Sequence, residues 1–237
     1  MTSEDHASTL SAVGSGLARA VPIVLGYVPI GLTYGVLAQK AGLSSLNAVL
    51  MSLLVYAGSS QLVAAGLFGI GAPAPSIILT TFVVNLRHML LSAAVAPYLK
   101  HWRKGELAAF AYELTDETFA LHAARFPSGV PPKGEVFAIN ATAQASWLLG
   151  TALGVALGEI IGEVEPLGLD YVLPAMFIAL SVMQMENAKH IGVALFSGAL
   201  SVALLLFGAG QWNVILATVI GASVGVLIEL WTNDRSS

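Results

Sequence analysis

Arg87 and His88 stand inside an apolar run, TTFVVNLRHMLLSAAV at residues 80–95, with Asn85 just before them. An arginine at mid-bilayer costs about 2.5–3.5 kcal/mol on insertion scales, so something opposite must offset it. Thr81, Asn85, His88 and Ser92 follow at spacings of four, three and four, which is one helical face. A polar stripe on an apolar helix faces a protein interior or a water-filled cavity. Arg87 then either binds a carboxylate or gates a path, or it pairs with an acid or snorkels to hold helices in place.

Other stripes share this character. The predicted helix over 46–70 contains VYAGSSQLVAAG and sets Ser52, Tyr56, Ser59 and Ser60 in a second polar stripe, with Gly58 and Gln61 among them. Asn140, Gln144, Trp147 and Thr151 recur at four, three and four, and Ser181 and Gln184 add a shorter set. Each alone reads as interhelical glue, since Ser and Thr often bond their own backbone. Together they predict a polar centre. The acidic stretch AYELTDETFALHA places Glu113, Asp116 and Glu117 at i, i+3 and i+4. These are a solvated face, or they supply a proton carrier or a partner for Arg87. Phe110, Leu114, Phe119 and Leu121 beside them suggest partial burial, which would raise a carboxyl pKa. His88 is a further proton-coupling candidate. Ser59 or Ser60 with His88 or His190 could instead form a hydrolase dyad. However, Leu62 stands where a GxSxG elbow needs its second glycine.

The elements that must position these groups are membrane helices. The chain has 237 residues, is 56% hydrophobic and 10% charged, and has a mean hydropathy of +0.79. Soluble domains carry about 25% charged residues. Only Lys40 is charged between residues 20 and 86. The expected class is all-α: a polytopic transmembrane helix bundle of about seven spans, near 20–39, 46–70, 76–99, 135–158, 171–187, 190–208 and 214–231. An eighth helix over 105–122 is too acidic to face lipid and is interfacial or re-entrant. A single transmembrane domain over 20–231 is flanked by a polar segment, 1–19, and a polar tail, 232–237. VPIVLGYVPIGLTYG carries Pro22, Gly26, Pro29, Gly31 and Gly35. The first helix is therefore predicted to be kinked or broken, with backbone groups near Gly26, Pro29 and Gly31 open to an ion or a charged substrate end. A kink that only shapes packing is the other reading. Gly150, Gly154 and Gly158 form a doubled GxxxG, and Gly221 with Gly225 another, for close helix packing inside the chain or with a second subunit.

Lys100, Arg103, Lys104, Arg125 and Lys133 cluster around the acidic helix and mark the cytoplasmic side. Counting spans from there puts the C-terminus and Lys40 inside and the N-terminus outside, although Arg19 opposes the last step. If the first segment only dips into the membrane, the N-terminus is inside. The start, MTSEDHASTL, lacks the basic n-region of a signal peptide, so the first apolar segment is expected to stay. A net charge of −4 without a basic patch argues against a nucleic-acid partner. With no cysteine there is no disulfide, thiolate metal site or thiol nucleophile. No cofactor or metal is expected, and Asn85-Leu86-Arg87-His88 is faintly echoed by Asn187-Ala188-Lys189-His190.

Asn85-Leu86-Arg87-His88, Pro29-Ile30-Gly31-Leu32-Thr33-Tyr34-Gly35, Ala57-Gly58-Ser59-Ser60-Gln61 and Leu114-Thr115-Asp116-Glu117, in this order and spacing, resemble the AzlC family. The resemblance is strong over about 20–125 and continues as a hydropathy pattern. It implies the large subunit of an exporter of branched-chain amino acids (leucine, isoleucine, valine, with methionine and toxic analogues). It also implies a small AzlD-type membrane partner, a location in the cytoplasmic membrane among its lipids, and no enzymatic activity. Gradient-driven export fits the lack of a GxxxxGK[ST] motif. On this reading the substrate-binding candidates are Arg87, Asn85, His88, Gly26, Pro29, Gly31, Tyr34, Tyr56, Gly58, Ser59, Ser60, Gln61, Asn140 and Gln144. Glu113, Asp116, Glu117 and His88 are the proton-coupling candidates. A hydrolase, or a channel or scaffold subunit without coupled transport, is the alternative.

Overall fold

A computed structural model describes residues 3–160, 171, 175, 178, 182, 185, 187–208 and 212–233. The segment predicted at 171–187, with Ser181 and Gln184, lies mostly outside these residues, as does the tail. Nine α-helices occur among the described residues, in two compact units, 1–172 and 173–237.

The first unit is built on two long helices, α1 (Ser3–Lys40) and α7 (Lys133–Gly158), which pack on each other more extensively than any other pair. Gly16 of α1 meets Glu135, Gly31 meets Trp147 and Gly35 meets Thr151, so the two run parallel. A Cβ on Gly31 would stand 2.8 Å from the Trp147 carbonyl oxygen, which is why the seam needs glycine. The doubled GxxxG of α7 faces α1, so it serves packing within the chain. This seam also explains one correction. The first helix is not broken at its prolines: α1 is continuous through Pro22 and Pro29. Packing along α7 holds it straight enough to stay helical, and Thr33 donates its hydroxyl to the Pro29 carbonyl at 3.0 Å.

A second correction concerns 46–70. It is two short helices, α2 (Ser45–Leu54) and α3 (Gly58–Gly69). Ser44 caps α2, and Tyr56 in the turn between them has φ +44°, a strained value for a bulky residue. Gly69 returns against Ala41, so both ends of the pair lie at the C-terminal end of α1. Ten residues reach about 15 Å, half a hydrocarbon core. This pair enters and leaves on one side. α4 (Ala74–Val95) then crosses to the other end of α1. Its exposed face, with Phe82, Leu86, Met89 and Leu90, suits lipid, while Thr81, Asn85, Arg87 and His88 are shielded.

The acidic helix is likewise two, α5 (Lys104–Tyr112) and α6 (Asp116–Arg125). At its base Lys133 bonds Glu106 at 2.6 Å, and Arg125 and Arg19 bond Glu135 at 2.7 and 3.0 Å. Val95, Leu99, Phe110, Leu114, Phe126 and Val136 form the apolar cluster beneath. The base lies at the start of α7 while Tyr112 meets Gln144, eleven residues further along it, so the hairpin runs alongside α7. The starts Ser45, Gly58 and Ala74 recur 58 or 59 residues later as Lys104, Asp116 and Lys133. A hairpin followed by a long helix thus occurs twice, with opposite direction. The faint echo at Asn187 is not part of it.

Because α2 and α3 do not cross, the count from the basic loop changes. Arg19 shares the basic end of α1 and α7, while Lys40 stands at the opposite end, contrary to the counted scheme. The count of seven is not confirmed among the described residues. Among the described residues three helices are long and apolar enough to span: Leu10–Lys40, Ala74–Leu99 and Ala188–Leu206. α7 is long enough but too polar to qualify, because it is wrapped by α1, α2 and α6. In the second unit α8 (Ala188–Leu206) and α9 (Trp212–Asn233) form an antiparallel pair, with Gly221 against Ser197 and Gly225 against Val193. Asn187 caps α8 by accepting from the Lys189 and His190 backbone N–H groups.

Candidate functional site

The two hairpins enter from opposite ends and their turns meet midway. The Tyr112 hydroxyl donates to the Leu53 carbonyl, and the Gln144 amide donates to the same carbonyl at 3.3 Å. α4 passes beside both turns and contributes its charged residue there. Arg87 Nη1 pairs with Asp116 Oδ2 at 2.8 Å, and Nη2 donates to Ser59 Oγ. One arginine therefore ties the first turn of α3 to the first turn of α6. Ser60 donates to Asn85 Oδ1, and His88 Nδ1 lies 3.0 Å from the Leu114 carbonyl oxygen.

Polarity is organised by the helix ends. The N-termini of α3 and α6, where backbone N–H groups point outward and positive potential gathers, face the junction. Thr115 caps α6, whereas Ala57 offers α3 no side-chain cap. Tyr27 of α1 donates to Glu117 Oε2 at 2.5 Å and lies 2.7 Å from the Thr115 hydroxyl. Behind the turns Gln61 receives the Trp147 indole N–H at 3.1 Å and donates to Ser52 at 2.9 Å, and Ser52 pairs with Thr151. Trp147 packs between Tyr27 and Tyr34. Three buried polar atoms around the junction have no hydrogen-bond partner: Arg87 Nε, His88 Nε2 and Glu113 Oε2. Buried polar groups are nearly always satisfied, so unpartnered ones gathered at one place mark a site for water or ligand.

The sequence candidates divide accordingly. Arg87, Asn85, His88, Tyr56, Gly58, Ser59, Ser60, Gln144, Glu113, Asp116 and Glu117 meet at the junction. Tyr34 and Gln61 form the layer behind it. Gly26 faces open space, Pro29 stays within α1, and Gly31 is consumed by the seam. Asn140 lies nearer the hairpin base, its Oδ1 accepting from Nε2 of fully buried His122 at 2.8 Å. Ser59 accepts from Arg87 and Ser60 donates to Asn85, and His88 Nδ1 faces the Leu114 carbonyl instead, so no dyad forms between these serines and His88. Tyr27, Tyr112 and Thr115 were not singled out. Thr115-Asp116-Glu117-Thr118 is a helix-start pattern inside what reads as one helix, and that was the available signal.

A model of the AzlC protein family matches residues 22–161, which hold α1 from its first proline, both hairpins and α7. The chain belongs to the AzlC family. A membrane protein of Archaeoglobus fulgidus is 31% identical over 97% of this chain and all of its own length. The branched-chain amino acid transport protein AzlC of Bacillus subtilis is 29% identical, over 93% of this chain and 85% of its own. Inner membrane protein YgaZ of Escherichia coli is 27% identical over 91% and 88%. No solved structure matches the chain.

Proposed function

We propose that this chain is a secondary transporter that exports leucine, isoleucine and valine, with methionine and toxic analogues, across the cytoplasmic membrane. The observation that carries the reading is the Arg87–Asp116 pair between two opposed hairpin turns, at the uncapped start of α3. The carboxylate of Asp116 occupies the place a substrate carboxylate would take on Arg87. Substrate entry and protonation of Asp116 would then be exchangeable events, which couples export to the proton gradient. Glu117 and His88 flank that exchange. The parallel α1–α7 seam is the fixed frame, and the hairpins are the parts that open to each side in turn. The face carrying Arg19, Lys100, Arg103, Lys104, Arg125 and Lys133 is cytoplasmic by its positive charge, with the C-terminus on the same side. A small AzlD-type membrane subunit completes the exporter, as the family resemblance implies.

The test is efflux of labelled leucine from cells lacking other exporters, with the chain expressed alone and with its small partner. Arg87→Lys keeps the charge and loses the two-pronged grip. Wild-type efflux by Arg87→Lys removes carboxylate binding by Arg87. Full gradient-driven efflux by Asp116→Asn with Glu117→Gln removes the proton role. No efflux from well-inserted protein in either pairing removes the substrate class.

A further inference from the structure

Three acidic side chains reach the junction, and two are engaged. Asp116 holds Arg87, and Glu117 accepts the Tyr27 hydroxyl. Glu113, which ends α5, has a buried carboxyl oxygen, Oε2, with no partner. The Tyr56 hydroxyl, on a side chain only 3% exposed, lies beside Tyr27, and both Glu117 and Glu113 lie within its electrostatic reach. Tyr56 is held there by a backbone angle that bulky residues avoid, φ +44°, and such strain persists where a site needs it.

The helix ends sort these groups by charge. α2 and α5 end at the junction, where their carbonyl termini are negative, and α3 and α6 begin there, where their N–H termini are positive. The Leu53 carbonyl near the end of α2 already collects two donors, Tyr112 and Gln144. The junction therefore has an anion-seeking side, at Arg87 and the N–H ends of α3 and α6, and a cation-seeking side, at Glu113 and the carbonyl ends of α2 and α5. A ligand carrying both charges on adjacent carbons, an α-amino acid zwitterion, fits this better than a simple anion.

We propose that the Glu113 carboxylate and the Tyr56 hydroxyl form the subsite for the substrate's α-ammonium group. The proposal rests on the transport reading above and deepens it by assigning the second charge of the substrate. An ammonium there gives Glu113 the donor it lacks. A fatty acid of the same shape leaves the carboxylate buried and unpaired, and sites built for a polar group reject analogues that lack it.

The experiment measures binding by the full chain in lipid nanodiscs. Leucine is titrated directly, and leucinamide and 4-methylpentanoate are its competitors, one lacking the carboxylate and one the ammonium. The wild type is expected to prefer leucine over 4-methylpentanoate strongly. Glu113→Gln should weaken leucine by about ten-fold or more, as loss of a charge-assisted contact does, and should leave 4-methylpentanoate unchanged or tighter. Tyr56→Phe should weaken leucine less. Glu113→Asp, which keeps the charge, should recover part of the affinity, and this separates a lost contact from a misfolded chain. Equal leucine affinity in wild type and Glu113→Gln overturns the subsite, including the case in which that variant loses proton-driven flux. Absence of leucine binding by the wild type overturns the branched-chain reading instead.

Discussion

Gly58 opens α3 directly beneath the Trp147 indole, and an added methyl there has a calculable cost. A Cβ would stand 2.7 Å from Cη2 and 3.1 Å from Cζ2 of that ring. Carbon atoms prefer about 3.5–4.0 Å, so the pair must separate by about 1 Å. The indole has little room to move, because it bonds Gln61 at 3.1 Å and packs on Tyr27 and Tyr34. Overpacking of this kind costs about 1–3 kcal/mol, and a lost hydrogen bond adds about 1 kcal/mol. The gain from replacing glycine is about 0.4–1 kcal/mol, so the clash wins. Gly58→Ala is expected to lose about 1–3 kcal/mol of stability in a denaturant titration of the purified protein, and to weaken leucine binding with it. Trp147→Phe removes the ring atoms that clash. The double variant should therefore be more stable than the sum of the two single losses predicts. A Gly58→Ala protein as stable as wild type, or strictly additive losses, would refute the geometry argued for this turn.

Three further outcomes follow. Gly154→Val inserts a branched side chain into the α1–α7 seam against Leu32, and should abolish folded protein on size exclusion, whereas Gly26→Val, facing open space, should be tolerated. The chain has no cysteine, so single cysteines report topology cleanly: Ser44→Cys and Ala72→Cys should react with an impermeant maleimide from one side, and His101→Cys only from the other. Ser44 labelling from the same side as His101 would mean that α4 does not cross. The Glu106 carboxyl is held below its ordinary value by its bond to Lys133 and then by the Arg103 N–H. A depressed folded value contributes stability above the ordinary carboxylate pKa and loses it as pH falls through the depressed one. Glu106→Gln should flatten the acid side of a stability–pH curve, and an unchanged curve would show that this base contact is idle.

Much of this was legible in the sequence, but unevenly. Arg87 declares itself, since a charge amid apolar residues must have a partner, and Asp116 was among the partners that spacing allowed. The stripe through Asn85 and His88 correctly gave the shielded face of α4, because helical periodicity is local. The hairpins were not legible as such. Residues 46–70 carry no charge and are mostly apolar, so hydropathy reads one span, and the strained turn at Tyr56 divides it. The prolines of α1 misled in the opposite way: they predict a break from local chemistry, and the long contact with α7 overrides them. Asn140 shows the same limit. Its stripe placed it correctly on the inner face of α7, but its depth along the helix depends on where the second hairpin ends.

The hairpins also bear on how the chain is made. A helix of ten or twelve residues cannot span a bilayer, and its polar turn has no business in lipid alone. Gly58 and its neighbours find Trp147 only after a further 89 residues have been synthesised. At about 5–20 residues per second, that is a wait of roughly five to twenty seconds. During that interval the first hairpin must be sheltered by the insertion machinery or sit at the membrane surface. The arrival of α7 closes the fold, so a nascent chain cut short before it would carry an unfinished, protease-sensitive front half.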